Sequence, residues 1–141
     1  MEILTQSAEE TKECGTRFAD TLTGGEVIAL SGDLGAGKTH FIQGLAQGLG
    51  LKARITSPTF IIMRDYDLQK DKHFYHVDLY RLEENIDREL GNLGITDLWG
   101  RKENIFAIEW AEKAKDFLPE NAIWVKIEDL GEEKRKITIN I

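Results

Sequence analysis

The chain has 141 residues, 41% of them hydrophobic and 30% charged, which is enough for one domain with its own core and too little for two comfortable ones. Its 25 acidic against 18 basic side chains leave a net charge of −7, the wrong sign for a protein that grips nucleic acid through phosphate contacts, so no strong direct binding of RNA or DNA is expected. No apolar run approaches the roughly 18 residues of a membrane span, the first residues lack a signal-peptide layout, and the single cysteine, Cys14, has no second thiol to pair with. A cytosolic protein with a buried structural thiol is the expectation.

Ser7 and Glu10 have the spacing of a capping box, and Thr11, Cys14, Phe18 and Leu22 recur at helical spacing, predicting an amphipathic helix over 8–22 that Gly24-Gly25 ends. Val27 to Leu30 is a short apolar run with β-branched residues, as a strand buried on both faces requires. After a glycine-rich turn, Phe41, Ile42, Leu45, Ala46 and Leu49 form a helical stripe that stops at Gly50. Residues 59–66 and 73–80 are β-rich runs separated by the polar stretch 67–72, an antiparallel hairpin pattern. Ile105 to Ile108 is another buried-strand run, and a short helical stretch over 111–117 ends before Pro119. Strands over 122–127 and 136–141 flank a turn around Gly131, in which Lys134-Arg135-Lys136 reads as a solvated basic turn. The sum is an α/β fold in a single domain over 1–141, with a central sheet mainly parallel and antiparallel strands at its margins.

Gly32-Asp33-Leu34-Gly35-Ala36-Gly37-Lys38-Thr39 satisfies G-x-x-x-x-G-K-[ST] and falls between a predicted strand and a predicted helix, the context that a P-loop requires. Glycines there let successive N–H groups converge on phosphate oxygens, and the following helix adds its positive N-terminal end. Lys38 is expected to reach the β- and γ-phosphates and the Thr39 hydroxyl to ligate Mg²⁺. Hydrolysis also needs an acid near the metal and a group that orients water. Asp78, closing Phe74-Tyr75-His76-Val77-Asp78, and Glu109, closing Ile105-Phe106-Ala107-Ile108-Glu109, stand where such a sheet presents its strand ends to ligand. The alternative for each is a surface acid capping a strand. Ser57-Pro58-Thr59 offers a loop hydroxyl that suits a switch threonine, or merely a turn fixed by Pro58. Asp97-Leu98-Trp99-Gly100 imitates D-x-x-G but follows no buried strand, and the chain has no N-K-x-D, so GTP selectivity lacks support. His73 and His76 have no sequence partner at metal-ligand spacing and are assigned to packing or solvent.

With the P-loop at 32–39, Ser-Pro-Thr at 57–59, His-Val-Asp-Leu-Tyr-Arg at 76–81 and Ile-Glu-Trp at 108–110, the chain resembles the TsaE (formerly YjeE) family along nearly its whole length. The resemblance implies a P-loop NTPase-like three-layer α/β/α fold and an ATPase required for threonylcarbamoylation of adenosine 37 in tRNAs that read codons beginning with adenine. It implies that Glu109 is the second Mg²⁺-site acid, Asp78 a water-orienting or water-activating carboxylate, Thr59 a switch-like threonine and Trp110 a neighbour of the nucleotide. It further implies that the helix start near Ser7 and Ala8 closes over adenine. The implied partners are TsaB and TsaD, whose complex ATP hydrolysis would reset; slow hydrolysis alone, stimulated by the partner, is expected. His40 departs from relatives that carry a second Thr there. The rivals are a small-molecule kinase using the same P-loop, for which no Arg-rich lid is evident, and a nucleotide-dependent binding switch.

Overall fold

In the computed structural model, which describes residues 1–32, 37–52, 55 and 62–140, the elements are β1 (Glu2–Thr5), α1 (Ala8–Ala19), β2 (Val27–Ser31), α2 (Lys38–Gly48), β3 (Met63–Asp67) and β4 (His73–Asp78). They continue as α3 (Ile86–Asn92), α4 (Ile95–Leu98), β5 (Asn104–Glu109), a 3₁₀ turn (Ala111–Ala114), β6 (Ile123–Gly131) and β7 (Lys134–Asn140). The seven strands form one sheet in the order β1-β7-β6-β2-β5-β4-β3. β6, β2, β5 and β4 are mutually parallel, while β7 and β1 on one margin and β3 on the other run antiparallel to their neighbours.

The central strands alternate sides with a period of two, and both sides are covered. Ile28, Leu30, Phe74, Ile105 and Ala107 face a core shared with Phe18 of α1 and Phe41, Ile42 and Leu45 of α2. Val27, Ala29, Tyr75, Val77, Phe106 and Ile108 face a second core closed by Leu90 of α3, Ile95 of α4 and Ala111 and Ala114 of the 3₁₀ turn. Their near-continuous apolar sequence follows from this double burial. α1 and α2 meet at unusually close range: a Cβ on Gly44 would stand 1.8 Å from the Lys12 carbonyl oxygen and one on Gly15 2.1 Å from that of Phe41. The Thr16 hydroxyl crosses this contact to the Gly44 carbonyl at 3.0 Å. Cys14 is buried in the same core, and burial pushes its thiol pKa up, the inert structural role expected of it.

Several boundaries differ from the sequence-based expectation. α1 stops at Ala19, not residue 22; Thr21 and Leu22 continue as turns, with the Thr21 hydroxyl donating to the Phe18 carbonyl at 2.7 Å and so competing with the helical ladder. β4 ends at Asp78 rather than residue 80, and 111–117 holds only a 3₁₀ turn to Ala114 followed by a turn at Phe117. β3 opens at Met63, while the first part of the predicted 59–66 run lies outside the described residues. The final hairpin is longer than expected: β6 runs to Gly131 and β7 begins at Lys134, joined through Glu132 and Glu133, both at positive φ (50° and 68°), as a two-residue turn of the I′ kind requires. β1, α3 and α4 are additions to the predicted elements. Among the described residues no helix is long and apolar enough to cross a membrane.

Candidate nucleotide site

The carboxyl ends of β2, β4 and β5 come together beside the start of α2. Parallel pairing sets Leu30 opposite Glu109 and Asp78 opposite Glu109, so the two acids end neighbouring strands at one level. Alternation puts both on the sheet side that α1 and α2 cover, since Ala107 and Ile105 precede Glu109, and Phe74 and His76 precede Asp78, at steps of two. α2 begins at Lys38 after Gly37, whose φ of 96° no ordinary residue adopts without strain; its first turn receives no side-chain cap. Gly32 is constrained differently, because a Cβ there would stand 2.3 Å from the Ile127 carbonyl oxygen of β6.

Lys38 is 4% exposed, and its Nζ donates to the Gly32 carbonyl at 2.7 Å while standing 3.6 Å from the centre of the Trp110 ring. A buried ammonium held by a carbonyl and an aromatic face is matched to an incoming anion. Trp110 holds φ 58° and ψ 37°, a left-handed conformation that a bulky residue adopts at a cost of about 1–3 kcal/mol. Its ring lies 5.3 Å from that of Tyr80, and Lys113 donates to the carbonyls of Tyr80 and Leu82 at 2.7 and 3.0 Å, tying the segment after Asp78 to the 3₁₀ turn. Trp110 is therefore part of the Lys38 environment and not plain core.

Burial pushes the Asp78 carboxyl above the ordinary carboxylate range; the Tyr80 N–H, donating to Oδ1 at 2.9 Å, works against this, and the neighbouring Glu109 adds to the rise. Glu109 is 4% exposed and is not a surface acid capping a strand. Its Oε2 lies 2.7 Å from Nε2 of His76, a fully buried imidazole. Sequence spacing assigns His76 to packing or solvent; the structure packs it fully buried in β4 and adds a contact with Glu109 that spacing does not report, because residues 33 positions apart become neighbours only through the β4–β5 register.

These residues and this sheet match known proteins. The family model for the threonylcarbamoyl adenosine biosynthesis protein TsaE matches residues 5–137. The chain belongs to the TsaE family. TsaE of Bacillus subtilis is 37% identical over 95% of this chain and 81% of its own, and TsaE of Treponema pallidum is 36% identical over 99% of both. Both are described as tRNA threonylcarbamoyladenosine biosynthesis proteins, as is TsaE of Aquifex aeolicus, 38% identical over 98% of this chain and 94% of its own. The crystal structure of Bacillus subtilis YdiB superposes with a TM-score of 0.74 at 32% identity, covering 99% of this chain and 83% of that one. Family membership ties the chain to tRNA threonylcarbamoyladenosine biosynthesis.

Of the residues singled out in the sequence of this TsaE family member, the fold unites Gly32, Gly37, Lys38, Asp78, Glu109 and Trp110, with Thr39 half-buried in the first turn of α2. Asp33, Leu34, Gly35, Ala36 and Thr59 lie outside the described residues. Ser7 is the N-cap of α1, accepting the Glu10 N–H at 3.2 Å, while Glu10 reaches back to the Gln6 N–H. Two residues before it, Thr5 pairs with Arg135 of β7, and the Arg135 side chain reaches Gly37: a Cβ on that glycine would stand 3.3 Å from the arginine Nε. The Arg135 side chain is only 14% exposed and bonds Asp129 at 2.9 Å, so the basic triplet is not simply a solvated turn: its middle member lies against Gly37. His73, also expected in packing or solvent, lies 3.2 and 3.6 Å from Asp67 and Asp65 on the β3–β4 hairpin, an exposed cluster apart from this site.

Proposed function

We propose that this TsaE family protein is the ATP-binding and ATP-hydrolysing subunit of cytoplasmic tRNA threonylcarbamoyladenosine synthesis, acting on the TsaB–TsaD complex and resetting it between rounds. The observation that carries the reading is the convergence of a buried lysine at a helix start with two carboxylates from adjacent strand ends. Helices on both sides of a sheet whose centre is parallel agree with a P-loop NTPase-like three-layer architecture.

The donor set fits a nucleotide with its Mg²⁺: amide groups at an uncapped helix start suit phosphate, and the Thr39 hydroxyl with the Glu109 carboxylate suits a hard divalent cation. Thr39 and Glu109 would hold Mg²⁺, which when bound neutralises phosphate charge during transfer. Lys38 supplies the positive charge that meets the β- and γ-phosphates, and the G-x-x-x-x-G-K-T motif that contains it is a phosphate-binding sequence. Asp78, with its proton affinity raised by burial, is suited to orient a water and accept its proton. Thr59 serves as the switch-like hydroxyl, Trp110 flanks the phosphate end beside Lys38, and the α1 start at Ser7 borders the adenosine end.

The test is ATP hydrolysis by the purified protein, alone and with TsaB and TsaD of the same source, with Glu109→Gln as control. Slow turnover alone, stimulated by the partners and lost in the control, is expected; indifference to the partners refutes the reset role. Release of free phosphate, with none on an acceptor, separates hydrolysis from the kinase alternative.

A further inference from the structure

The structure assigns His76 a role that the sequence did not disclose: we propose that His76 is a positioning residue that fixes the Glu109 carboxylate for the metal. The proposal rests on the function proposed above, in which Glu109 is a metal ligand. Glu109 has three side-chain torsions, and a carboxyl group 4% exposed is costly to bury without a hydrogen-bond partner. His76 is that partner, at 2.7 Å, itself 0% exposed and two residues upstream of Asp78 on the same side of β4.

The ring's other nitrogen decides the polarity of the bond. Nδ1 is buried and has no hydrogen-bond partner among the described residues. A hydrogen on Nδ1 would leave a buried donor unmet and set the Nε2 lone pair against a carboxylate oxygen. With the hydrogen on Nε2, the imidazole donates to Glu109 Oε2 and only an acceptor goes unmet. The bond engages Oε2 and holds the carboxylate in one orientation, with Oε1 as the oxygen His76 does not touch. An imidazole that served packing alone would be replaceable by an apolar side chain like its neighbours on that side, Phe74 and Ala107. One that orients a metal ligand is worth roughly 10–100-fold in metal affinity or activity.

The test uses His76→Gln, whose amide nitrogen reaches the place of Nε2, and His76→Asn, whose amide reaches only that of Nδ1. The first readout is the ring-nitrogen NMR spectrum of metal-free, nucleotide-free protein. A hydrogen on Nε2 whose signal moves in Glu109→Gln supports the proposal; an Nε2 that carries no hydrogen overturns it. The second is Mg²⁺ affinity in the presence of ADP by calorimetry. His76→Asn should bind Mg²⁺ about tenfold more weakly, His76→Gln close to the parent, and ADP affinity without Mg²⁺ should be unchanged in both. If His76→Asn folds and binds Mg²⁺ normally while Glu109→Gln does not, the positioning role is wrong and the metal role of Glu109 survives. If Glu109→Gln also binds Mg²⁺ normally, the metal role itself fails, and the positioning role with it.

Discussion

The α1–α2 contact allows one perturbation to be worked through quantitatively. Gly44→Ala adds a methyl group 1.8 Å from the Lys12 carbonyl oxygen, where ordinary contact is near 3.4 Å, so the helices must part by roughly 1.5 Å. Both groups are backbone-fixed, and no rotamer change relieves the clash. Helix propensity alone would favour alanine by about 1 kcal/mol, whereas overpacking costs about 1–3 kcal/mol and occasionally more. Separation also breaks the Thr16–Gly44 bond, worth about 1 kcal/mol. The net expectation is a loss of about 2 kcal/mol, and an unfolding entropy of about 0.3 kcal/mol/K for 141 residues converts it to a fall in Tm of about 7 °C. Gly91→Ala is the control: it lies in α3 with nothing within 4 Å of its added Cβ, and it should raise Tm by up to about 3 °C. Since the first turn of α2 carries Lys38 and Thr39, Gly44→Ala should weaken nucleotide binding as well, and Gly91→Ala should not. Calorimetric melts and ADP titrations check both; equal Tm values for the two variants would refute the close approach.

Asp78→Asn should abolish turnover yet raise Tm slightly at neutral pH. The sign follows from its raised carboxyl: a folded pKa above the unfolded one contributes stability below the unfolded value and loses it as pH rises through the folded value. Melts from acid to neutral pH should therefore diverge upward for Asp78→Asn, and a destabilised variant at neutral pH would contradict the assignment. In a variant with Trp99 and Trp124 replaced by Phe, Trp110 fluorescence should change on adding ATP, because phosphate draws Lys38 from its place 3.6 Å above the ring; Lys38→Ala should remove the response, and a response that persists there would refute that route.

The parts of this molecule that announce themselves in sequence are those governed by local rules. β2 and β5 appear as unbroken apolar runs because both of their sides are buried, and α2 appears because its stripe faces one side only. β1 is four residues long and exists through pairing with β7, which no local pattern reports. α3 leaves only a faint trace: Ile86, Leu90 and Leu93 recur at helical spacing, with Leu90 fully buried, but its N-cap, Asn85, holds a left-handed conformation and makes no side-chain cap bond, so no ordinary start signal marks it. At the site, the motif residues are legible and their long-range contacts are not. His76 meets Glu109, and Arg135 meets Gly37, only once strand register is set, which is a long-range property.

The pairing of β1 with β7 has a consequence for assembly on the ribosome. Residues 2–5 emerge well before their partners 135–138 have been made, and the amino group of Met1 donates to the Ile139 carbonyl across that join, a sequence separation of 138. Until β7 arrives β1 has no strand to pair with, and Leu4 is still 63% exposed in the finished fold. So distant a pairing closes slowly by diffusion, and a product stalled before β7 would offer this margin to another chain.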